Sequence, residues 1–535
     1  MRSPLFLTPS WRFTLMLLVT AAIGGCDSTS SAMPPVQTTA LADTDRIVPP
    51  APDVQTTVGD AFGTAIAISA DGNTLAVSAP GEDSDARGFN GDEFNNKALN
   101  SGAVYLYHKA DGRWIRQGFL KAKDSQLEDR FGSGLSLSAD GSVLAVGASQ
   151  TDELDDVAAY GKGVNQGSVY LYRRKQQHWH FETQLKASNA DSFDGFGSVL
   201  TLSADGRTLA VTAPGEDSTR DAMPDDNTGH NTGAVYLFGW HRNGWQQQAL
   251  LKAPTTESME NFGQALSLSA HGKMLAIGAS QHDGSVTVDG KPKRLHNTGV
   301  VYLFQHHQGQ WQPQSQLTAH YSDERDNFGN AVSLSADGTH LAVSAQGEAG
   351  LPGAIQGGQD NSATNAGAVY LFDFIAGQWQ QQAYLKADNG EQNDGFGSQL
   401  QLSADGKSLA VSAQWEDSAG GKHDNSALQA GAVYVFDRRE THWKQTAYLK
   451  ASAPMAKDQF GNALSLSANG RTLVVGVAAE DAGLNENGKD YHPSMALGSG
   501  AVYSFSKSAD QWQLNNYFKS NMGSGISHPP IAANH

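Results

Sequence analysis

Hydrophobic and polar positions follow one pattern that occurs seven times along the chain. Each copy starts with a Phe-Gly pair and continues through an alternation of large and small residues, a Ser-Ala-Asp-Gly turn and a Leu-Ala-Val segment. A long polar loop, a Val-Tyr segment, a tryptophan and a Leu-Lys-Ala segment complete the copy, with a few substitutions. Successive copies start 69, 65, 66, 66, 68 and 64 residues apart, at Phe62, Phe131, Phe196, Phe262, Phe328, Phe396 and Phe460. Self-similarity of this kind is the signature of a repeat protein.

Each repeat predicts four β-strands, which we call A to D. The alternation of Leu135, Ser136 and Leu137 predicts that strand A has two different faces. Small residues on one of these faces suit a crowded position where neighbouring sheets converge. The Asp-Gly pair predicts a tight hairpin between strands A and B, because this turn needs positive φ. Leu-Ala-Val then forms strand B, Val-Tyr marks strand C, and the tryptophan lies in the polar strand D.

The repeats must stack on one another, because a four-stranded sheet cannot bury its faces alone. Radial stacking of seven sheets leaves only short edges, which is the arrangement of a β-propeller. A solenoid is the alternative architecture, but its repeat is normally shorter than the 64 residues seen here. Helical periodicity is absent from the sequence. We therefore predict an all-β fold, a seven-bladed β-propeller of four-stranded antiparallel blades over residues 59–519.

The first 25 residues predict an export signal rather than a part of the fold. Arg2 and Arg12 accompany an apolar run, 14–25, that is too short to cross a membrane core of about 30 Å as a helix. The run ends before Cys26, the single cysteine, in a Gly-Gly-Cys sequence that is similar to the lipobox of bacterial lipoproteins. This similarity implies cleavage before Cys26 and lipidation of its thiol. An ordinary signal peptide with a chance cysteine is the alternative.

Both alternatives predict export from the cytoplasm. Lipidation implies a cell-envelope protein of a bacterium, anchored on the periplasmic side or the cell surface, that contacts the membrane through its lipid. Residues 26–58 are rich in serine, threonine, proline and alanine, a composition that predicts a flexible tether. Residues 520–535 predict a disordered tail.

The Phe-Gly pairs, together with triplets such as Ser78-Ala79-Pro80 and Thr212-Ala213-Pro214 after strand B, resemble the FG-GAP repeat of integrin-α-type propellers. The resemblance covers residues 59–519 and implies a seven-bladed extracellular propeller that serves recognition rather than catalysis. Several integrin-type blades bind Ca²⁺ through an Asp-x-Asp-x-Asp-Gly hairpin. The hairpins of this chain have a single carboxylate, whereas Ca²⁺ takes 6–8 oxygen ligands. We therefore do not transfer those metal sites, and we predict no cofactor.

Acidic residues are concentrated in the loops between strands B and C. The chain has 37 basic and 55 acidic residues and a net charge of −18. This balance argues against nucleic acid as a partner, which calls for basic patches. The seven B–C loops hold 25 of the acidic and 9 of the basic residues, a net charge of −16. Antiparallel blades place these loops on one face with the blade-to-blade connections, so one face of the propeller is predicted to be acidic.

Two series of carboxylates recur on this face. The first lies four residues after the small-Ala pair of strand B, except in the fifth repeat, where Ala349 replaces it: Asp83, Asp152, Asp217, Asp283, Asp417 and Asp481. Each of these accepts backbone N–H groups and shapes its loop, or together they form a ring that binds a cation such as Ca²⁺ or a basic ligand. The second series, two residues before each Phe-Gly pair, is predicted to cap turns: Asp60, Asp129, Asp194, Glu260, Asp326, Asp394 and Asp458.

The repeats favour binding over catalysis. No G-x-S-x-G, H-E-x-x-H, Walker or G-x-G-x-x-G motif occurs, and the single cysteine at the lipidation site excludes thiol catalysis. The similarity of all seven blades points the same way, because a catalytic site usually breaks the repeat in one or two of them. We predict a non-enzymatic, monomeric binding or adhesion module whose acidic loop face contacts a protein or a glycan in the envelope or on another cell. An envelope assembly scaffold, or a propeller hydrolase or lyase with loop-borne carboxylates, is the alternative.

Overall fold

The fold is a seven-bladed β-propeller, as the sequence predicts. The computed structural model describes residues 46–47, 59–93, 95–152, 164–219, 227–254, 259–288, 291–320, 322–352, 361–421, 423–481 and 498–519. The chain has two compact units, Met1–Pro34 and Pro35–His535, and all described residues belong to the second. Every regular element within these ranges is a strand.

The strands follow the repeat, with A, B, C and D of each blade in consecutive order across the sheet. The strands of the first four blades, with one strand before them, are β1 (Arg46–Ile47), β2 (Ile66–Ile68), β3 (Thr74–Ala79), β4 (Ala103–Ala110), β5 (Arg113–Leu120), β6 (Phe131–Leu137), β7 (Val143–Ala148), β8 (Ser168–Lys175), β9 (His178–Leu185), β10 (Leu200–Leu202), β11 (Thr208–Ala213), β12 (Ala234–His241), β13 (Gly244–Leu251), β14 (Ala265–Leu268), β15 (Met274–Ala279), β16 (Gly284–Val288), β17 (Lys291–Leu295), β18 (Val300–His307) and β19 (Gln310–Leu317). The last three blades contain β20 (Phe328–Leu334), β21 (His340–Ala345), β22 (Ala368–Ile375), β23 (Gln378–Leu385), β24 (Phe396–Leu402), β25 (Ser408–Ala413), β26 (Ala432–Arg439), β27 (His442–Leu449), β28 (Ala463–Leu466), β29 (Thr472–Val477), β30 (Ala501–Ser508) and β31 (Gln511–Lys519).

Two strand elements were not predicted. The short strand β1 pairs in parallel with β31 at the outer edge of the seventh blade, although the sequence analysis assigned residues 26–58 to a tether. The B–C loop of the fourth blade contains a hairpin of β16 and β17 that forms its own two-stranded sheet. Strand β1 has only two residues, and the hairpin lies in a B–C loop whose sequence is not part of the repeat.

The hydrophobic core lies between blades rather than inside one of them. Seven clusters of buried side chains each combine residues of two neighbouring blades. The cluster that contains Val77 of the first blade also contains Val474 and Val502 of the seventh, so the packing closes into a ring. In every blade the phenylalanine of the Phe-Gly pair packs against the tyrosine of strand C, with ring centroids 5.3–5.5 Å apart. The rings meet edge-on in six blades and are tilted in the fourth. The tyrosines of strand C are therefore part of the core.

The A–B hairpins are joined by a closed ring of backbone hydrogen bonds. The alanine of each Ser-Ala-Asp-Gly turn, or of its equivalent, donates its N–H to the carbonyl oxygen of the alanine in the next blade, over 2.9–3.1 Å. The last bond, from Ala468 to the carbonyl of Ala70, joins the seventh blade to the first. Small residues of strand A add further contacts, since Ser136 accepts the N–H of Leu202 from the next blade. This explains the small face of strand A.

A glycine before each strand C allows neighbouring blades to approach. Each has φ between +79° and +87°, and a Cβ atom there would lie 2.0–2.4 Å from the carbonyl oxygen of the phenylalanine that opens the next blade. The backbones meet here because this phenylalanine donates its N–H to the residue before the glycine, as Phe131 does to Ser101 over 3.0 Å. The seven residues are Gly102, Gly167, Gly233, Gly299, Gly367, Gly431 and Gly500.

Substitution Gly367→Ala should destabilise the protein by about 1–3 kcal/mol beyond the cost of the positive φ alone. The added methyl group would meet the carbonyl oxygen of Phe396 at 2.0 Å, and backbone cannot move aside like a flexible side chain. Gly112→Ala is the matched control, because Gly112 has φ of +79° and a Cβ atom added there would have nothing within 4 Å. Urea unfolding of both variants measures the difference, and equal losses of stability would contradict the close-approach explanation.

Candidate functional site: the loop face

The propeller has two faces that differ in their connections. We call the face formed by the B–C loops and the blade-to-blade connections the loop face, and the face formed by the A–B and C–D turns the turn face. Loops of neighbouring blades interlock on the loop face, where Glu128 donates its N–H to the carbonyl of Leu99 over 2.8 Å and Lys457 does the same to Leu428. Both candidate series of carboxylates lie here. The structure therefore brings them to one face, as predicted.

The first series of carboxylates shapes the B–C loops. In each case Oδ1 accepts the backbone N–H of a residue near the end of the same loop, over 2.7–2.9 Å. Each donor residue has positive φ. It lies two residues before the glycine at which neighbouring blades approach, as Asn100 does before Gly102. The carboxylates and their donors are Asp83 with Asn100, Asp152 with Asn165, Asp217 with Asn231, Asp283 with Asn297, Asp417 with Gln429 and Asp481 with Gly498.

These contacts support the loop-shaping interpretation. The fifth blade, which has Ala349 at this position, keeps a backbone bond from Ala363 to the carbonyl of Ala349, over 2.8 Å. The equivalent backbone bond accompanies the carboxylate bond in the first, third and sixth blades. Within the described ranges, no group of three or more histidine, cysteine, aspartate or glutamate side chains could hold a metal ion. Binding of Ca²⁺ or of a basic ligand by the six carboxylates stays a prediction.

Buried ion pairs anchor the B–C loops, and these were missed in the sequence. In five blades the glutamate at the start of the loop binds the lysine of the Leu-Lys-Ala segment, and no side chain of these pairs is more than 8 % exposed. The nitrogen–oxygen distance is 2.5 Å for Lys121 and Glu82 and 2.7 Å for Lys450 and Glu416. The pairs are Glu82 with Lys121, Glu216 with Lys252, Glu348 with Lys386, Glu416 with Lys450 and Glu480 with Lys519.

The environment of these lysines is strongly desolvated. Burial lowers the pKa of Lys121 and Lys450, although the carboxylate partner of each opposes the shift. The second and fourth blades have Thr151 and His282 instead of the glutamate. In the fourth blade, His282 Nδ1 lies 2.8 Å from Oε1 of Glu260, so the loop is still tied to the blade-to-blade connection. The recurrence of glutamate in the loop and of lysine at the end of strand D was the available signal.

Five of the seven carboxylates in the second series cap turns, as predicted. In five connections Oδ2 accepts the backbone N–H of the residue three positions earlier, over 2.7–2.8 Å. Burial raises the pKa of each of these carboxyl groups to about 7, and nearby carboxylates raise it further while the capping bond opposes the shift. The five residues are Asp129, Asp194, Asp326, Asp394 and Asp458.

The melting temperature should fall by at least about 2 °C between about pH 5.5 and pH 8 because of this series. A carboxyl group whose pKa is higher in the folded chain stabilises the fold while it is protonated. That contribution is complete below the ordinary pKa of 3.8 and is lost as the pH rises through about 7. The variant Asp194→Asn, Asp326→Asn, Asp394→Asn should reduce the fall, because asparagine keeps an oxygen for the capping bond and cannot ionise.

A control comes from the turn face. Burial raises the pKa of Asp140, but hydrogen bonds from Ser138 and Ser142 outweigh it and leave the pKa below its ordinary value. Asp140 is therefore ionised throughout this pH range, and Asp140→Asn should leave the pH dependence of melting unchanged. A triple variant whose melting temperature still falls as steeply as that of the unmodified chain would contradict the assignment.

Exposed hydrophobic side chains are also concentrated on the loop face. Twelve large hydrophobic residues are exposed within the described ranges, and nine of them lie in B–C loops or blade-to-blade connections, with 39–64 % of their surface exposed. The nine are Leu99, Leu127, Phe193, Met259, Val286, Val288, Leu351, Leu428 and Met455. Apolar groups that stand beside carboxylates on one face are typical of a surface that contacts another protein.

Some predictions lie outside the described residues. The signal peptide 1–25, Cys26, the tether except Arg46–Ile47 and the tail 520–535 are among them. None of the described residues forms a helix that is long and apolar enough to cross a membrane.

Comparison with known proteins identifies the repeat. Residues 114–172, 311–372 and 379–436 match the FG-GAP repeat family. Each matched region begins in strand D of one blade and ends in strand C of the next, so it includes a Phe-Gly pair and a junction between blades. No curated protein matches the sequence.

Solved structures show only distant similarity. Hydrazine synthase of Kuenenia stuttgartiensis has a TM-score of 0.45 and 15 % identity, over 79 % of this chain and 94 % of that chain. A chain of the mitotic checkpoint complex has a TM-score of 0.43 and 14 % identity, over 86 % and 96 % of the two chains. The periplasmic gluconolactonase of Pseudomonas aeruginosa has a TM-score of 0.42 and 16 % identity, over 74 % and 86 %. At these values the similarities say nothing about function.

Proposed function

Because the chain is a β-propeller built of FG-GAP repeats, we propose that it is a non-enzymatic binding module of the bacterial cell envelope that holds a partner protein on its loop face. The observation that supports this most directly is the position of nine of the twelve exposed large hydrophobic side chains on that face. Apolar side chains such as Phe193 and Met259 have most of their surface exposed to water, and its removal by a partner is favourable.

The anchoring of the loops supports the same function. Buried glutamate–lysine pairs and aspartate–amide bonds fix the base of each B–C loop, whereas the sequence between these points differs from blade to blade. The fixed ends of these loops lose little conformational entropy on binding. The carboxylates around the apolar groups favour a partner with basic side chains. Lipidation at Cys26 would hold this module at the membrane, with the segment between Cys26 and β1 as its tether.

A pull-down from native envelopes with the tagged full-length chain tests the proposal. The variant Leu127→Ser, Phe193→Ser, Met259→Ser should lose the partner, because it removes apolar surface from the loop face without touching the core. The matched control is Ile115→Ser, Phe181→Ser, Ile375→Ser, which changes the three exposed hydrophobic residues that lie elsewhere, on strands C and D.

Retention of the partner by the first variant, or equal loss with the control, would refute the role of the loop face. A Cys26→Ser chain that still sediments with membranes would show that the anchor is not this lipid.

A further inference from the structure

The B–C loop of the fourth blade departs from the other six. It forms the hairpin of β16 and β17, whose partners run from Gly284 and Leu295 to Val288 and Lys291. No other B–C loop contains a strand within the described ranges. The hairpin pairs with no blade, and all of its residues except Gly284 and Leu295 are exposed.

The charge of this loop also differs from that of its neighbours. Residues 280–298 contain three basic and two acidic residues, a net charge of +1. The equivalent segments of the other six blades have net charges between −2 and −4. The fourth blade therefore places a basic hairpin on an otherwise acidic face. A difference in charge and a difference in backbone structure coincide in one loop.

The base of the hairpin is fixed to the propeller. The Asp283 carboxylate accepts hydrogen bonds from Arg294 Nε over 2.6 Å, from the Asn297 backbone over 2.8 Å, and lies 2.8 Å from His296 Nδ1. Burial raises the pKa of Asp283, but these bonds outweigh it and lower the pKa below its ordinary value. Leu295 is buried with 8 % of its surface exposed. The base of the hairpin is thus fixed, and the rest of the hairpin projects from it.

One side of the hairpin combines apolar and cationic groups. Val286 is paired with Lys293 and Val288 with Lys291, and cross-strand partners lie on the same side of a sheet. The two valines are 40 % and 49 % exposed. Neither lysine forms an ion pair with another residue in the described ranges. An isolated two-stranded hairpin is at best marginally stable in water, and its open edges are templates for a further strand.

We propose that this hairpin docks an extended, acidic polypeptide segment of a partner protein, which adds as a third strand. Alternate glutamates of the segment would lie on the side of the hairpin that carries the valines and lysines. Their carboxylates would pair with Lys291 and Lys293, and their methylene groups would cover Val286 and Val288. An anionic membrane surface fits less well, because it would bring the whole acidic loop face of a chain with net charge −18 against lipid headgroups of the same sign. This inference shares Val286 and Val288 with the nine exposed hydrophobic residues of the proposed function, and it does not require Leu127, Phe193 or Met259.

Titration of the full-length chain with a blocked heptapeptide of alternating glutamate and valine tests the proposal. We expect saturable binding that weakens as salt is raised. Lys291→Glu with Lys293→Glu should weaken it by about tenfold or more, because two attractive charge pairs become repulsive. Lys273→Glu with Lys407→Glu is the matched control, since both lysines are exposed in A–B turns of the turn face and the change in net charge is the same. This control should bind within about twofold of the unmodified chain.

Three further outcomes would overturn the proposal. The first is absence of peptide binding, or equal weakening in both double variants at unchanged melting temperature. The second is full binding of a peptide that is N-methylated at alternate residues, because such a peptide cannot pair as a strand. The third is recruitment to phosphatidylglycerol vesicles that depends on Lys291 and Lys293 while the peptide does not bind, which would assign the hairpin to a membrane. A pull-down partner lost only by the hydrophobic loop-face variant leaves this test unaffected.

Discussion

Removal of one complete repeat, Phe262–Asn327, should abolish cooperative folding rather than yield a six-bladed propeller. The ring of alanine hydrogen bonds has seven members, and the bond from Ala468 to Ala70 joins the same backbone groups as the other six. Closing six blades would widen each blade-to-blade angle from about 51° to about 60°. Packing at the interior density of proteins tolerates such a change poorly, because every junction would lose contacts at once.

The matched control for this deletion is a smaller one in the same blade. Replacing residues 285–294 by a short glycine linker removes the basic hairpin and leaves the four blade strands and both junctions in place. That variant should melt in a single transition near the temperature of the unmodified chain. Calorimetry distinguishes the two, and a soluble six-repeat chain with one sharp transition would show that the junctions adapt.

The second large effect is expected at a buried ion pair. Substitution Glu416→Gln should lower the free energy of unfolding by about 3–5 kcal/mol, because it leaves the Lys450 ammonium group buried without a counter-charge. The two side chains are 3 % and 7 % exposed, and Glu416 Oε1 also accepts the Tyr448 hydroxyl over 2.7 Å. Adding Lys450→Met should restore most of the lost stability, since a buried pair can be replaced by uncharged groups at little cost. Urea unfolding measures all three chains.

An exposed ion pair provides the comparison. Arg439 and Asp510 lie 3.8 Å apart with 69 % and 77 % of their side chains exposed. Asp510→Asn should therefore change the free energy of unfolding by less than about 1 kcal/mol. If Glu416→Gln is as mild as Asp510→Asn, then the buried lysine must find water or lose its proton at little cost, and the pairs do not anchor the loops.

The blade architecture could be predicted because its determinants are local and repeated. Alternation indicates strand A, the Asp-Gly pair indicates the A–B turn, and the tyrosine marks strand C. Seven copies of this pattern remove the ambiguity that a single copy would leave. The loop-shaping role of Asp83 and its equivalents was one of two alternatives, because a carboxylate next to a turn has the same sequence whether it binds an amide or a cation. The 2.8 Å contact to Asn100 shows the bond to the amide, and cation binding stays a prediction.

The remaining features depend on residues that are distant in sequence. Glu82 and Lys121 are 39 positions apart, and nothing local shows that strand D ends beside the start of the B–C loop. The short strand β1 has two residues and depends on the edge offered by Tyr517 and Phe518. The hairpin that begins at Gly284 was not predicted because the charges of the seven B–C loops were summed. The net charge of +1 in this loop does not show in the sum of −16.

The closure of the ring also sets the order in which this chain can mature. Six junctions join blades that are adjacent in sequence, whereas the seventh joins Ile68 to Ser465, 397 positions away. By loop-closure entropy, that step costs about 1.6 kcal/mol more than joining neighbouring repeats, which is small beside the packing it completes. Closure of the seventh junction therefore affects when the fold can form more than how stable it is. Until synthesis delivers the last blade, the apolar flank around Val77 has no neighbour, so every nascent molecule passes through an aggregation-prone stage.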